Sequence, residues 1–268
     1  MIDYNNVQEI HKTNKRSSGT NSKRFIVLHY TAGSSFDGDV AQLSVNDAKV
    51  SCHYVISRNG TIAKIGSDSD ILWHAGKSSW NGIRGLNSHS IGIELTNPGI
   101  LEVKGDEAVS WFGKRYKPGE WFKHSSDPNA GWVPYSVNQL EALRNLCEGL
   151  ISLHGTIEEV VGHEQISPQR KVDPGNGEIL SLKFYEKMNE FAREYIGSSP
   201  PKAIAPMETL PVKVSVSSNL RVRSGPGTNF AVVDSLKDDD AVEIIRKSGS
   251  WAKIGNKRWV HSAYLEIQ

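Results

Sequence analysis

The stretch FIVLHY at Phe25–Tyr30 is an apolar run that ends in a histidine and a tyrosine. A short run without alternating polar positions is typical of a strand that is covered on both faces of a sheet. The stretch SIGIEL at Ser90–Leu95 alternates instead, which places its isoleucines and its leucine on one face of a strand and Glu94 on the other. Both stretches predict strands of a folded sheet.

A hairpin and two helices are predicted along the same part of the chain. The segment His53–Ile65 has two apolar runs around an Asn-Gly pair at 59–60, whose positive φ angles suit a tight type I′ turn. A helix is predicted from Ser136, with Gln139 completing a capping box, and a second from about Leu182 to Tyr195. These elements predict an α/β domain with a mixed β-sheet flanked by helices.

The composition of the chain changes sharply at Gly197–Pro201. Four of the eleven prolines fall between Pro200 and Pro211, in a stretch without apolar periodicity that predicts a semi-rigid linker. Short β-rich runs separated by Gly, Ser and Asp clusters follow it and predict a small all-β barrel. We therefore expect an α/β domain at 1–196, a linker at 197–211 and a second domain at 212–268.

Several classes of protein are excluded by composition. The formal net charge of +1, from 31 Lys+Arg and 30 Asp+Glu, argues against nucleic acid as a partner. No stretch approaches the roughly 18 apolar residues of a membrane span. The polar segment Met1–Thr20 has no apolar core of a signal peptide, which predicts synthesis in the cytoplasm without an export signal. Cys52 and Cys147 are expected to be buried free thiols.

Three residues near the ends of apolar runs could hold a metal ion. His29 ends the first run, His163 follows Val160-Val161-Gly162, and Asp173 comes ten residues later among loop-forming residues. Two neutral imidazoles and one carboxylate suit Zn²⁺ with a fourth position open for water. The rival zinc-protease pattern His-Glu-x-x-His fails, because position 167 is Ser. The sequence therefore makes this zinc set a hypothesis.

Five motifs occur in an order that is similar to that of the zinc-dependent N-acetylmuramoyl-L-alanine amidases of the type 2 group. This group shares its fold with peptidoglycan recognition proteins, and the similarity covers roughly residues 20 to 196. The motifs are LHYTA at 28–32, the hairpin region 51–60, WHAG at 73–76, SIGIE at 90–94, and GHE-x-I-x-P-x-RK-x-DPG at 162–175.

The resemblance implies one Zn²⁺ per chain and a role for each matching residue. It assigns His29, His163 and Asp173 as zinc ligands, Glu94 as general base or water-orienting carboxylate, and Lys171 as the catalytic lysine. It implies substrate contacts for the four residues His74, Thr31, Asn97 and Arg170. One departure is Cys52, because some phage members of the group have a catalytic tyrosine at this position, so no tyrosine role is transferred.

The tail resembles a bacterial SH3 domain, through NLRVRSGPG at 219–227 and the later Trp251 and Trp259. Such modules commonly accompany cell-wall hydrolases, so peptidoglycan or muropeptides are the expected partners. The expected activity is hydrolysis of the amide between the muramic acid lactyl group and L-alanine, at the cell wall after release or non-classical export. A cytoplasmic amidase that recycles anhydro-muropeptides and a non-catalytic peptidoglycan-binding protein are the alternatives.

A long insertion at 99–134 separates the Glu94 strand from the helix at Ser136 and is rich in aromatic residues, Trp111 and Phe112 among them. Long loops in compact domains are usually functional or disordered. The sequence leaves two uses open for these aromatics, which are stacking on sugar rings and covering the core.

Overall fold

The apolar run at Phe25–Tyr30 forms a strand inside a six-stranded sheet, and its first five residues are buried. The structure is a computed structural model that describes residues 7–9, 13–45, 47–175, 177–197, 210–216, 219–244, 246–248, 251–255 and 258–267. The chain divides into two compact units, Met1–Pro200 and Pro201–Gln268. The linker predicted at 197–211 lies mostly outside the described residues, so its bounds stay a prediction.

The elements of the first unit are numbered along the chain. Its strands are β1 (Val7–Glu9), β2 (Arg16–Ser17), β3 (Phe25–Tyr30), β4 (Tyr54–Ile56), β5 (Ile62–Lys64), β6 (Ile71–Leu72), β7 (Ser79–Trp80), β8 (Ile83–Arg84), β9 (Ser90–Leu95), β10 (Ile100–Lys104), β11 (Glu107–Val109), β12 (Arg115–Tyr116), β13 (Phe122–Lys123), β14 (Ala130–Trp132) and β15 (Glu159–Gly162). Its helices are α1 (Phe36–Ser44), α2 (Val137–Leu153), α3 (His163–Ile166) and α4 (Leu182–Tyr195), with a 3-10 turn at Leu86–Ser88.

The main sheet has the strand order β1-β5-β4-β9-β3-β15. Strand β3 runs parallel to both β9 and β15, and β4 runs parallel to β9 but antiparallel to β5. The sheet is therefore mixed, and helices flank it, which confirms the predicted fold class. The register pairs His29 of β3 with Glu94 of β9, so these two side chains lie on the same face of the sheet.

The hairpin between β4 and β5 is confirmed, but its predicted type I′ turn is wrong. Among the two central residues only Gly60 has a positive φ, of 86°. The amide of Gly60 donates to the carbonyl of Ser57, and the side chain of Asn59 accepts from the amide of Thr61. Asn59 has a negative φ and stabilises the loop through this side-chain bond. The loop between β4 and β5 is therefore longer than the tight turn expected from an Asn-Gly pair.

Helices α2 and α4 cover one face of the sheet. Ser136 caps α2 as predicted, because its Oγ accepts from the amide of Gln139, but the Gln139 side chain donates to the carbonyls of Ile56 and Thr96 and does not close a capping box. The core on this face contains, among others, Ile26, Leu28, Tyr54, Ile91, Ile93, Leu95, Leu143, Leu150 and Met188.

The opposite face carries the polar residues. Helix α1 packs there through Val40 and Leu43 against Val55 and Ala63, and Phe25 and Val27 pack with the residues near α3. Because Leu28 points into the helical core, the alternation of the strand turns His29 to this second face. His29 and Glu94, whose surroundings are described below, both lie on it.

The insertion at 99–134 is a folded sheet, so its interpretation as a long loop is wrong. Its five strands have the antiparallel order β12-β11-β10-β14-β13. A small core of its own includes Leu101, Ala108, Tyr116 and Val133. Its strands are only two to five residues long, too short for the periodicity of any one of them to predict a sheet.

The second unit is all-β, as predicted. Its strands are β16 (Leu210–Val214), β17 (Leu220–Arg223), β18 (Val232–Leu236), β19 (Ala241–Ile244), β20 (Arg246–Ser248), β21 (Trp251–Gly255), β22 (Arg258–His261) and β23 (Leu265–Ile267). They form two small sheets, of order β19-β16-β23 and β18-β17-β22-β21-β20. The core contains Val214, Leu220, Val222, Leu236, Ala252 and Val260.

Both cysteines are buried free thiols, as the sequence predicts. Among the described helices, none combines the length and the apolar character that crossing a membrane requires.

Candidate functional site

Three buried side chains meet where two neighbouring parallel strands end. His29 lies near the carboxyl end of β3, and His163 is the first residue of α3, directly after β15. Asp173 follows α3 on a loop, which is held against the helix because the amide of Glu164 donates to the Asp173 carbonyl at 2.9 Å. The parallel pairing of β3 and β15 therefore brings together residues that are far apart in sequence.

The three side chains form a close triangle. Nδ1 of His29 lies 2.9 Å from Nδ1 of His163 and 2.9 Å from Oδ2 of Asp173, and the His163 Nδ1 to Asp173 Oδ2 distance is also 2.9 Å. Of the described residues, only these three form a cluster of potential metal-ligating groups.

A chain of hydrogen bonds determines which nitrogen of His29 carries a proton. The hydroxyl of Ser90 donates to the carbonyl of Leu86 at 2.6 Å, so its oxygen accepts from Nε2 of His74 at 3.4 Å. Nδ1 of His74 is then free to accept the Nε2 proton of His29, at 3.1 Å. A neutral imidazole has one proton, so Nδ1 of His29 presents a lone pair to the triangle.

The second histidine is oriented in the same way. Nε2 of His163 donates to the carbonyl of Ala75 at 3.0 Å, and Nη2 of Arg170 donates to the same oxygen at 3.1 Å. The carbonyl has two lone pairs, so the 3.2 Å contact between Arg170 Nη2 and His163 Nε2 joins two donors that share one acceptor. Nδ1 of His163 therefore also presents a lone pair.

Burial favours the neutral form of His29 and of His74 on this face. Desolvation by burial lowers the pKa of His29 to about 4, and the neighbouring His163 adds to the effect. Desolvation also lowers the pKa of His74 well below its usual range, and the neighbouring histidines add to the effect. At neutral pH the ring of His29 therefore has the uncharged form that a metal ligand requires.

The triangle fits a metal ion. Two imidazole lone pairs and a carboxylate oxygen converge with no proton to share between them, an arrangement that is repulsive until a cation lies among them. Ligands of one tetrahedral Zn²⁺, with bonds of about 2.0–2.1 Å, are about 3.3 Å apart, close to the observed spacing. The outer nitrogens of both rings donate to protein acceptors, as in most metal sites.

Glu94 lies beside this triangle on a central strand. It is 9% exposed, and its Oε2 is buried without a hydrogen-bond partner among the described residues. Burial raises the pKa of Glu94 well above its usual range, the charges of Asp173 and Asp39 raise it further, and Lys171 opposes them. A carboxyl group with a free oxygen at this position is suited to exchange a proton with a bound molecule.

These groups line an open cavity of about 730 Å³. His29, His163 and Asp173 lie in its wall together with Glu94 and Lys171. The lining also includes residues after β3, one side of α1, the tip of the insertion, and the segments around Val50 and His74. The structure thus brings all five residues that the sequence assigns to metal and catalysis into one cavity, although their individual roles stay predictions.

The four predicted substrate-binding residues differ in their placement. His74, Thr31 and Arg170 line the cavity, but His74 is only 8% exposed and the Arg170 guanidinium bonds carbonyls at 75 and 77 and the hydroxyl of Ser167. Asn97 is fully buried, and its amide group bonds the backbone of Val133 and Gly99. Asn97 therefore holds the insertion to β9, outside the cavity lining.

Gly92 explains the position of His74. A Cβ atom added at Gly92 would lie 2.4 Å from Cγ of His74, so the imidazole packs directly on the bare backbone of β9. His53 fixes the same segment, because its Nδ1 accepts from the Gly92 amide at 2.9 Å. His53 was not predicted as a site residue, although the SCH motif at 51–53 could have indicated it.

Asp39 is a further residue that the sequence analysis missed. It lies on α1, is 5% exposed, and lines the cavity near Glu94. Its Oδ1 lies against the backbone of Gly33, where a Cβ would be 1.6 Å away. The signal was present in the helical spacing, because Asp39 is four residues before the buried Leu43 and shares its face.

Comparison with known proteins identifies two families in the chain. The N-acetylmuramoyl-L-alanine amidase family matches residues 19–176, and the bacterial SH3 domain family matches residues 218–266. The N-acetylmuramoyl-L-alanine amidase AmiD of Escherichia coli K12 is 35% identical over 160 residues, which cover 57% of this chain and 49% of that protein. The 1,6-anhydro-N-acetylmuramyl-L-alanine amidase AmpD of Haemophilus influenzae is 30% identical over 129 residues, 47% of this chain and 53% of that protein.

The chain thus spans about half the length of these curated relatives. A solved structure of the Escherichia coli AmiD complex with anhydro-N-acetylmuramic acid-L-Ala-D-gamma-Glu-L-Lys is 30% identical, with a TM-score of 0.46 over 70% of this chain and 62% of that one. The first family match covers 19–176 of the 268 residues, and the chain therefore belongs to the N-acetylmuramoyl-L-alanine amidase family, with a bacterial SH3 domain at 218–266.

Proposed function

We propose that this protein is a zinc-dependent amidase that hydrolyses the bond between the lactyl group of N-acetylmuramic acid and L-alanine in peptidoglycan. The observation that carries the proposal is the convergence of three proton-free ligand atoms, 2.9 Å apart, beside the partnerless carboxyl oxygen of Glu94. Membership of the amidase family supports the same reaction.

His29, His163 and Asp173 are the residues that would hold the zinc ion. Bound Zn²⁺ supplies Lewis acidity and lowers the pKa of water to about 7, which makes hydroxide available at neutral pH. The Nε2 bonds of His29 to His74 and of His163 to Ala75 would keep both rings oriented during turnover.

Glu94 is the proposed proton carrier. In its ionised form, its free Oε2 would accept a proton from the attacking water and then donate it to the leaving nitrogen of L-alanine. The buried position raises its proton affinity, so the proton is held between the two steps. Because β9 is a central strand, the carboxyl group has little freedom to leave this position.

Lys171 is the proposed stabiliser of the developing oxyanion. It lies two residues before Asp173 and lines the same cavity, where its charge already acts on His29 and Glu94. An ammonium group in a partly enclosed cavity stabilises negative charge on the carbonyl oxygen more strongly than it would in water.

We further propose that the second unit, over the predicted range 212–268, binds the cell wall. Its match to the bacterial SH3 domain supports this role, as does a cavity of about 670 Å³ lined by Trp251, Tyr264, Arg221 and Arg223 among others. Aromatic faces beside the Arg221 guanidinium suit a peptide that carries carboxylates, whereas Nη1 of Arg223 donates to the carbonyls of Thr228 and Phe230. Polymeric peptidoglycan is therefore the favoured substrate.

Mass spectrometry of digested sacculi tests the proposal. Wild-type protein should release stem peptides that begin with L-alanine, a zinc chelator should stop the release, and added Zn²⁺ should restore it. Glu94→Gln, which preserves the shape of the side chain, serves as the matched inactive control. Cleavage of soluble anhydro-muropeptides alone would make the protein a recycling enzyme, and no cleavage of either by the zinc-loaded protein would favour a binding protein.

A further inference from the structure

The turn at the tip of the insertion carries two aromatic side chains, of which Trp111 is exposed and Phe112 is partly buried. Trp111 and Phe112 are the central residues of a turn between β11 and β12, in which the amide of Gly113 donates to the carbonyl of Ser110 at 2.9 Å. Turn corners usually carry Gly, Pro, Asn, Asp or Ser, because they face water. Trp111 is nevertheless 75% exposed.

The turn itself is well defined. Gly113 has a φ of +85° with open space around it, and the amide of Lys114 donates to the Ser110 hydroxyl at 3.0 Å. The rings of Trp111 and Phe112 contact each other edge to face, with centroids 5.5 Å apart. The aromatic pair is therefore presented by a fixed support.

A hydrogen bond directs Trp111 to the candidate active site. Its Nε1 donates to the carbonyl of Ala32 at 2.6 Å, three residues after the candidate ligand His29. Trp111 and Phe112 both line the cavity that contains His29 and Glu94. The polar edge of the indole is thus satisfied by the protein, while most of its apolar surface stays open.

The surrounding rim is also apolar. Val50, 41% exposed, and Val172, 47% exposed, line the same cavity as Trp111. Exposed apolar groups that cluster around one concave site indicate ligand binding, whereas scattered ones do not. The cluster is continuous with the catalytic groups, so its ligand must be part of the molecule that is cleaved.

The chemistry of the proposed substrate indicates which part of it contacts this apolar rim. In a muropeptide, only the lactyl carbon and an ether oxygen separate the scissile carbonyl from the sugar ring, so the pyranose must lie beside the catalytic groups. The stem peptide offers charged groups and small methyl groups, whereas a pyranose offers a flat face of C–H bonds. A flat, exposed indole that is fixed at its edge matches this face.

We propose that Trp111, supported by Phe112, forms a saccharide-binding wall of the cavity and stacks on the N-acetylmuramoyl ring of the substrate. This inference rests on the proposed amidase function. It makes the insertion a determinant of substrate binding for the sugar side of the scissile bond.

A binding experiment tests the inference without catalysis. The probe is the peptide-free disaccharide of N-acetylglucosamine and N-acetylmuramic acid, titrated by calorimetry into the full-length protein. Trp111→Ala should raise the Kd about tenfold or more, while Trp111→Phe, which keeps a ring but loses the N–H, should raise it less than about threefold. Phe122→Ala is the matched control, because Phe122 is a 37% exposed aromatic of the same sheet that does not line the cavity.

The inference would be overturned if wild type did not bind the disaccharide, if Trp111→Ala bound it normally, or if Trp111→Phe lost as much affinity as Trp111→Ala. The last result would assign the effect to the bond with Ala32. Melting temperatures of the variants verify folding, and Phe112→Ala, expected to weaken binding in the same direction, provides a second variant.

A kinetic comparison separates this inference from the proposed function. Trp111→Ala should lower kcat/KM about tenfold, mainly through KM, for N-acetylmuramoyl-L-alanyl peptides. D-Lactoyl-L-alanyl peptides keep the scissile amide but lack the sugar, so the variant should cleave them as fast as wild type. An equal loss on both substrates would contradict the saccharide wall. Absence of cleavage by wild type would refute the amidase function, while the disaccharide titration would still test Trp111.

Discussion

The buried carboxyl group of Asp39 should make the first unit less stable as pH rises from 4 to 7, and Asp39→Asn should remove this loss. Burial raises the pKa of Asp39 to about 6 from a usual value of 3.8, although the hydroxyls of Thr96 and Thr31 oppose the shift. Its Oδ2 has no hydrogen-bond partner among the described residues. The ionised form is therefore less favourable in the folded protein than in the unfolded chain.

The size of the effect follows from the pKa difference. The difference of about 2.2 units corresponds to about 3 kcal/mol, at 1.36 kcal/mol per unit. Because the folded pKa is raised, the full stability is present below pH 3.8 and is lost as the pH rises through about 6. Asparagine has the same shape and no charge, so Asp39→Asn should match wild type near pH 4 and exceed it by up to about 3 kcal/mol at pH 7.

Differential scanning calorimetry of the full-length chain at several pH values between 4 and 8 measures this difference. For a unit of this size, about 3 kcal/mol corresponds to a rise in Tm of about 6–12 °C. Protonation of metal ligands affects both proteins equally and cancels in the comparison. Asp37→Asn, an exposed position in the first turn of the same helix, is the control and should change Tm by no more than about 2 °C.

The reasoning would be refuted if Asp39→Asn changed the stability by the same amount at pH 4 and pH 7. A variant less stable than wild type at pH 7 would also refute it, because the carboxylate would then be making favourable contacts that the asparagine cannot replace.

Three further predictions concern the metal triangle and its neighbours. Asp173→Ala should lose bound zinc and activity together, which atomic absorption and an amidase assay would measure, and an active metal-free variant would contradict the ligand set. Glu94→Gln should keep its zinc while kcat falls by about 10² to 10⁴, so normal turnover would exclude Glu94 from proton transfer. Gly92→Ala should displace His74, whose Cγ lies 2.4 Å from the added Cβ. We expect the variant to be about 1–3 kcal/mol less stable and to bind zinc more weakly, as measured by competition with a chelator. An unchanged zinc affinity would show that His74 does not orient His29.

Much of the fold was predictable because its signals are local. The buried run at Phe25–Tyr30, the alternation at Ser90–Leu95 and the Ser136 cap each depend on neighbours within a few residues. The insertion at 99–134 was not predictable in this way. Its strands are two to five residues long and depend on pairing with one another, so no single stretch shows enough periodicity to reveal them.

The candidate site, like the fold, was predictable from the sequence only in part. The motif order indicated which residues gather in the cavity, but not the contacts that orient them, because those contacts cross between distant segments. Ser90 determines the proton position on His29 through His74, and no spacing in the sequence shows that path. Asp39 differs, because its helical spacing with Leu43 did indicate the buried face of α1, whereas its close packing against Gly33 is visible only in the structure.

The charges around the cavity explain why three acidic side chains are buried there. Its lining includes the carboxyl groups of Asp39, Glu94 and Asp173 and the cationic side chains of Arg170 and Lys171. With all three carboxyl groups ionised, the net charge of these five side chains is −1. The buried oxygens of Glu94 and Asp39 that have no hydrogen-bond partner among the described residues make this charge unfavourable. A divalent cation in the His29–His163–Asp173 triangle would change the net charge of the cavity from −1 to +1. A net positive charge favours a reaction with a developing oxyanion, because the negative charge of the transition state neutralises it. The same acidic residues that destabilise the metal-free fold would therefore tune the metal-bound cavity for amide hydrolysis, which links the pH dependence of stability at Asp39 to the chemistry at Glu94.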